Sequence, residues 1–123
     1  MEIKVKNYKD VEGDRLGEGT SMRWVVSHED GAENFYMRIV EAQPGSDGPP
    51  FHHHDYEHEM CILEGEGILV GDGGETPVKP GDCIYIPPNS NHTIRHPNGL
   101  RFICLIPSKG AGMPSMPVPM KKS

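Results

Sequence analysis

Residues 65–88 read GEGILVGDGGETPVKPGDCIYIPP. Short apolar runs are each closed within a few residues by glycine or proline. Such punctuation breaks any helix before it completes a few turns, but suits strands joined by tight turns. The rhythm holds along the whole chain, which carries fifteen glycines and twelve prolines in 123 residues. No window keeps apolar residues at i, i+3, i+4 and i+7 between helix caps. Strand-like segments appear instead. IKV near the start reads as an edge strand, and MRWVVS (22–27) and NFYMRIVEA (34–42) are rich in β-branched and aromatic residues. HEDGAE between the latter two reads as a hairpin turn. QPGSDGPP (43–50) is irregular. Two strands flank EGEG, GDGGE (71–75) is a turn, DCIYIPP is a strand stopped by prolines, and NSNHTIRHPNGLRFICLIP is a final hairpin. The expected fold is an all-β sandwich or small barrel.

The length fits one domain, which we place at 1–109 with a barrel core at 34–107. A Pro/Met-rich tail follows at 110–123, whose Met113, Met116 and Met120 read as apolar contacts with a partner subunit rather than soft-metal ligands. A net charge of -6 argues against nucleic acid as a partner. Three widely spaced cysteines, Cys61, Cys83 and Cys104, argue against a disulfide framework and for reduced thiols in a cytoplasmic protein. Neither a secretory signal nor a membrane span is visible.

The stretch FHHHDYEHEM (51–60) holds four of the seven histidines. Side chains of an extended segment alternate faces. The even positions are His52, His54, Tyr56, His58 and Met60, whereas every acidic residue is odd. With the even face inward, three histidines converge and His53 points to water. His-x-His on a strand sets two imidazoles about 6.5–7 Å apart along the backbone, a gap the side chains can close onto one ion. The remaining candidates for a fourth ligand are His28, His92 and His96. His28 falls in a turn; His92 opens a strand after PPNSN and is preferred.

These motifs resemble the cupin superfamily. His52-x-His54, then His58 where the family has glutamate, then Gly65, follow the first cupin motif. Gly81, Pro87 and His92 follow the second, with Asn89 at its second glycine and His96 at its terminal asparagine. The resemblance implies a double-stranded β-helix, the jelly-roll β-barrel. Within the superfamily the chain is similar to small single-domain members with HxHxxxHE and a terminal CLIP, here at 104–107. That similarity implies a homodimer and one divalent transition metal per chain, from among Mn, Fe, Ni, Cu and Zn, with Mn or Fe favoured. The metal set is then His52, His54, His58 and His92. Four neutral imidazoles leave the ion its full double charge, which favours anionic or oxygen-donor ligands.

Two functions follow as expectations. The first is a metal-dependent enzyme on a small oxygenated or anionic substrate, working by dioxygenase-like or Lewis-acid chemistry, with decarboxylase or isomerase activity within the same range. The second is a non-catalytic module that binds or senses a small molecule. No general base is evident. Tyr56, between ligands, could orient a substrate or simply pack at the barrel mouth. A three-residue Pro-Asn-Gly loop in the last hairpin would pair His92 with Cys104 and turn that thiol inward, as a structural sulfur or a neighbour of the metal. Arg38 could grip a substrate carboxylate, although a solvated or dimer-interface arginine is the plainer expectation. Glu59, Asn91 and main-chain carbonyls are candidates to hold the ligating rings.

Overall fold

A computed structural model describes residues 2–17, 19–45 and 52–111. Among them are nine strands, three single-turn 3-10 helices and no α-helix. Strands β1 (Asp14–Gly17), β2 (Thr20–Val26), β3 (Phe35–Ala42), β4 (His58–Gly65), β7 (Cys83–Ile86) and β9 (Leu100–Pro107) form one antiparallel sheet in the order β1-β2-β3-β9-β4-β7. Strands β5 (Gly67–Gly71), β6 (Gly74–Val78) and β8 (His92–Arg95) form a second, in the order β6-β5-β8. The architecture is the jelly roll of the cupin fold.

Alternation builds the interior. In β9 every second side chain, Leu100, Phe102, Cys104 and Ile106, is buried. In β4 the buried set is His58, Met60 and Ile62. All of these except His58 join Met22, Val40, Ile86 and Ile94 in one core cluster drawn from both sheets. Two turns depend on left-handed backbone. Gly65 ends β4 at φ +87, and a Cβ there would collide with the Gly99 carbonyl oxygen, so the motif glycine is sterically required. Asn89, at the second motif's other glycine position, has φ 62. Asparagine tolerates that conformation better than other side chains do.

The hairpins at HEDGAE and GDGGE form as their sequences suggest: β2 pairs with β3, and β5 with β6. Three expectations are corrected. IKV is not a strand: Ile3 is 94% and Val5 91% exposed, and β1 takes the outer position instead. The strands flanking EGEG do not pair; β4 lies between β9 and β7, and β5 between β6 and β8. The last segment is not a hairpin either. The turn itself forms, with the Gly99 N–H donating to His96 O at 3.0 Å and Gly99 at φ +90. However, it carries the chain from one sheet to the other, so β8 pairs with β5, and β9 with β3 and β4. Pairing of His92 with Cys104 is therefore wrong; Cys104 is opposite Arg38 and Met60. The tail at 112–123, with its three methionines, lies outside the described residues, as do 46–51.

Candidate metal centre

The alternation of residues 52–60 holds throughout. His52, His54, Tyr56, His58 and Met60 are buried, and His53, Asp55, Glu57 and Glu59 are exposed. His92 reaches the same interior from the second sheet. Its backbone exchanges two hydrogen bonds with His52, 3.0 Å from His52 N to His92 O and 2.8 Å in return. Ligand atoms of His52, His54 and His92 all lie within 4.8 Å of one another, so these three could hold a metal ion. His58 Nε2 is 3.3 Å from His92 Nε2. Two nitrogens bound at about 2.1 Å to one ion sit roughly 3.0–3.4 Å apart, so this spacing suits a shared ion.

The outer ring nitrogens are consistent with that use. His92 Nδ1 donates to Ser90 O at 2.8 Å, which leaves its Nε2 a lone pair aimed inward. His58 Nδ1 is 3.4 Å from Cys104 Sγ. His54 Nδ1 is buried without a hydrogen-bond partner, a costly state unless an unpaired ring nitrogen has a ligand to meet. Burial, then the neighbouring His52, pushes His54 down to about 4. Burial, then the Arg38 charge, pushes His58 down to about 2. His92 is lowered by burial, against the Ser90 bond. All three rings are neutral at pH 7, the form that binds metal. Asn91, a candidate to hold a ligating ring, instead meets His53 Nδ1 at 3.1 Å and donates to Asp72. Glu59 faces outward.

Beside the histidines lies a cavity of ≈ 80 Å³, room for several waters or a small ligand. Val40, Ile94 and Phe102 make much of its wall, and His96 lines it too, buried with an unpartnered Nδ1. Arg38 is the unexpected occupant. It is neither solvated nor at a surface: only 6% of it is exposed, and it lines the cavity. Its Nη2 donates to Cys104 Sγ at 2.9 Å and its Nη1 to Met22 Sδ at 3.5 Å, while its Cζ is 5.4 Å from the Trp24 ring centroid. Its Nε has no partner. None of these partners is anionic. Among the described residues, no Asp or Glu lines the cavity.

Cys104 is thus turned inward, 2% exposed, and touches both Arg38 and His58. Tyr56 stacks on His54, with centroids 4.9 Å apart and planes at 21°, inside the core cluster and off the cavity wall. Burial raises its phenol to about 12, and its hydroxyl has no partner. Sequence reasoning named Arg38 as a candidate but missed its burial and its partners Met22 and Trp24. The signal was present in β3, where Tyr36, Arg38, Val40 and Ala42 share one face and three of the four are apolar.

Comparison with known proteins agrees with this geometry. The Cupin_2 cupin-domain family matches residues 38–106. Over 85 residues the chain is 31% identical to quercetin 2,3-dioxygenase of Bacillus subtilis, covering 68% of this chain and 25% of that protein. Over 102 residues it is 32% identical to the dimethylsulfoniopropionate lyase DddW of Ruegeria pomeroyi, covering 76% and 66%. The chain thus spans less than two thirds of the length of either relative. The polyketide cyclase RemF of Streptomyces resistomycificus has the same fold at a TM-score of 0.78 and 29% identity, with 87% of this chain and 80% of that one covered. Among the described residues, no helix is long and apolar enough to cross a membrane. On its motifs, its barrel and these matches, the chain belongs to the cupin family.

Proposed function

We propose that this cupin is a metal-dependent enzyme acting on a small, anionic, oxygen-donor substrate. His52, His54, His58 and His92 would hold one divalent transition ion, with Mn or Fe favoured. The carrying observation is the cavity's charge: a buried arginine beside neutral histidines, with no acidic side chain in the described lining. Such a cavity attracts an anion and offers a carboxylate two guanidinium donors. Bound there, the ion would supply Lewis-acid polarisation or a coordination position for dioxygen. The chain's own residues do the rest. Arg38 orients the anionic end, while Val40, Ile94 and Phe102 exclude water. Cys104 and the Ser90 carbonyl fix the rings of His58 and His92. The relatives support this reading. One is named a dioxygenase, and the other acts on a propionate, a small carboxylate.

A second reading, a module that captures a small anion without transforming it, is favoured by one observation: the described lining offers no carboxylate as proton acceptor. Both readings share the metal and the anion. Metal analysis of protein purified without an affinity tag should find about one first-row transition ion per chain, and none after His52→Ala with His54→Ala. Unchanged metal content in that double variant would overturn the assignment. Turnover of small carboxylates under air and under argon then separates the two readings. The homodimer belongs to the same proposal and is read by light scattering.

A further inference from the structure

A second cluster of reactive side chains lies on the opposite face of the large sheet. Cys61 in β4 and Cys83 in β7 are direct partners in the antiparallel register. Their neighbours show which kind of pair they form. Ile62 donates its N–H to Asp82 O at 3.0 Å and accepts from Gly81 N at 2.9 Å, so Ile62 is the hydrogen-bonded position of this ladder. Bonded and non-bonded positions alternate, which makes Cys61–Cys83 the non-bonded pair, with Cα atoms about 4.5 Å apart and side chains at their closest. That separation is at the short end of the range a disulfide spans, about 4.4–6.8 Å. Both side chains are on the outer face, Cys83 exposed and Cys61 partly so. They line a shallow groove with Glu59, Tyr85 and Ile103, away from the histidine cavity.

We propose that Cys61 and Cys83 form a reversible cross-strand disulfide, a redox modification site separate from the candidate metal centre. The oxidant is a low-molecular-weight disulfide such as glutathione disulfide. The Cys83 thiolate, the more accessible, attacks one glutathione sulfur. This forms a mixed disulfide and expels one glutathione thiolate, which takes up the proton Cys83 lost. The Cys61 thiolate then attacks the Cys83 sulfur and expels the second glutathione. In sum, two thiols and one disulfide become one protein disulfide and two glutathione thiols, so atoms and electrons balance. Burial and the neighbouring Cys83 thiol hold Cys61 above its usual range, so the closing step is slow near neutral pH and quickens as pH rises. The bond ties β7 to β4. β4 carries His58 on its inner face, and β7 leads into the turn before His92. An outer-face modification therefore joins the strand that carries His58 to the strand that leads towards His92.

The test incubates the full chain, with its purified metal content, in glutathione buffers of rising oxidised fraction. Free thiols are then alkylated, and intact mass and non-reduced peptides are read. The expected result is a chain carrying two fewer alkyl groups than the reduced control and about 2 Da lighter once those are counted, with one linked peptide pair containing Cys61 and Cys83, reversed by dithiothreitol. Cys83→Ser should abolish the link. Cys61→Ser should stop at a glutathione adduct of about 305 Da on Cys83. A wild-type chain that stays fully reduced, accumulates that adduct without closing, or links to a second chain through Cys83 would overturn the proposal. The wild-type peptide map decides the matter even if a serine variant folds poorly.

Discussion

Arg38 Nη2 lies 2.9 Å from Cys104 Sγ, a charged donor held by a sulfur in the interior of the barrel. Sulfur is a weak acceptor, and the other contacts of Arg38 are Met22 and the Trp24 ring. The guanidinium is therefore poorly compensated by its protein contacts. Replacing it with an apolar residue of similar length removes a desolvated charge, which is often neutral or stabilising. Arg38→Met should thus melt at or above the wild-type temperature, yet bind small carboxylates roughly tenfold to a hundredfold more weakly. Calorimetric titration with acetate and oxalate reads the affinity. A variant that binds as well as wild type would remove Arg38 from the substrate site.

His58 holds the position where the family motif has glutamate. His58→Glu would place a carboxylate among the imidazoles and lower the net charge of the bound centre by one unit. Metal content should persist, while anion affinity should fall by about tenfold or more. Metal analysis and anion titration on the same sample separate the two effects. Stronger anion binding in this variant would contradict the charge argument.

The pH dependence of the metal-free chain follows from the buried rings. Burial pushes His54 to about 4 and His58 to about 2, from an ordinary 6.5. Below pH 6.5 the unfolded chain takes up protons that the folded chain refuses, so stability rises with pH in this window. It is full above 6.5 and is lost as pH falls towards 4. Asp30, held low by Lys6, adds a loss that begins only below 3.8. Urea midpoints of chelator-treated protein should be flat above pH 7 and fall steadily from 6.5 to about 4. A midpoint unchanged over that interval would mean the rings protonate freely in the folded state.

Asn89 tests the turn that precedes His92. It has φ 62, and its N–H donates to the His54 carbonyl at 2.6 Å. Asn89→Gly should be within a few tenths of a kcal/mol of wild type, whereas Asn89→Ala should lose about 1 kcal/mol. Equal losses in both variants would show that the side chain, not the backbone conformation, matters there.

The parts of this structure legible in the sequence were those set by local geometry. Alternation sorted residues 52–60 into an inward histidine face and an outward acidic face, because an extended chain has no other way to present them. Gly–Asp–Gly–Gly fixed a tight reversal, and Pro97-Asn98-Gly99 did the same. Strand partners were less legible. The reversal at Pro97–Gly99 looks like a hairpin in isolation, yet β8 and β9 go to different sheets. A turn fixes the direction of the chain, but the edge each strand joins is chosen by burial against residues far away in sequence. Arg38 was misplaced for a related reason. Its charge suggested water, while the apolar company on its own strand face pointed inward. The soft partners that allow it to be buried, Met22, Trp24 and Cys104, come from two other strands.

The reciprocal hydrogen bonds between His52 and His92 would have a consequence for exchange of an ion held there. Two imidazoles from distant parts of the chain are clasped through their main chains, so they act as one ready-made chelating arm. Stripping the ion would leave that arm in place. Reloading would then need dehydration of the incoming ion and no refolding, so a barrel that holds a metal in this way would be a durable holder whose occupant follows the supply of metal around it.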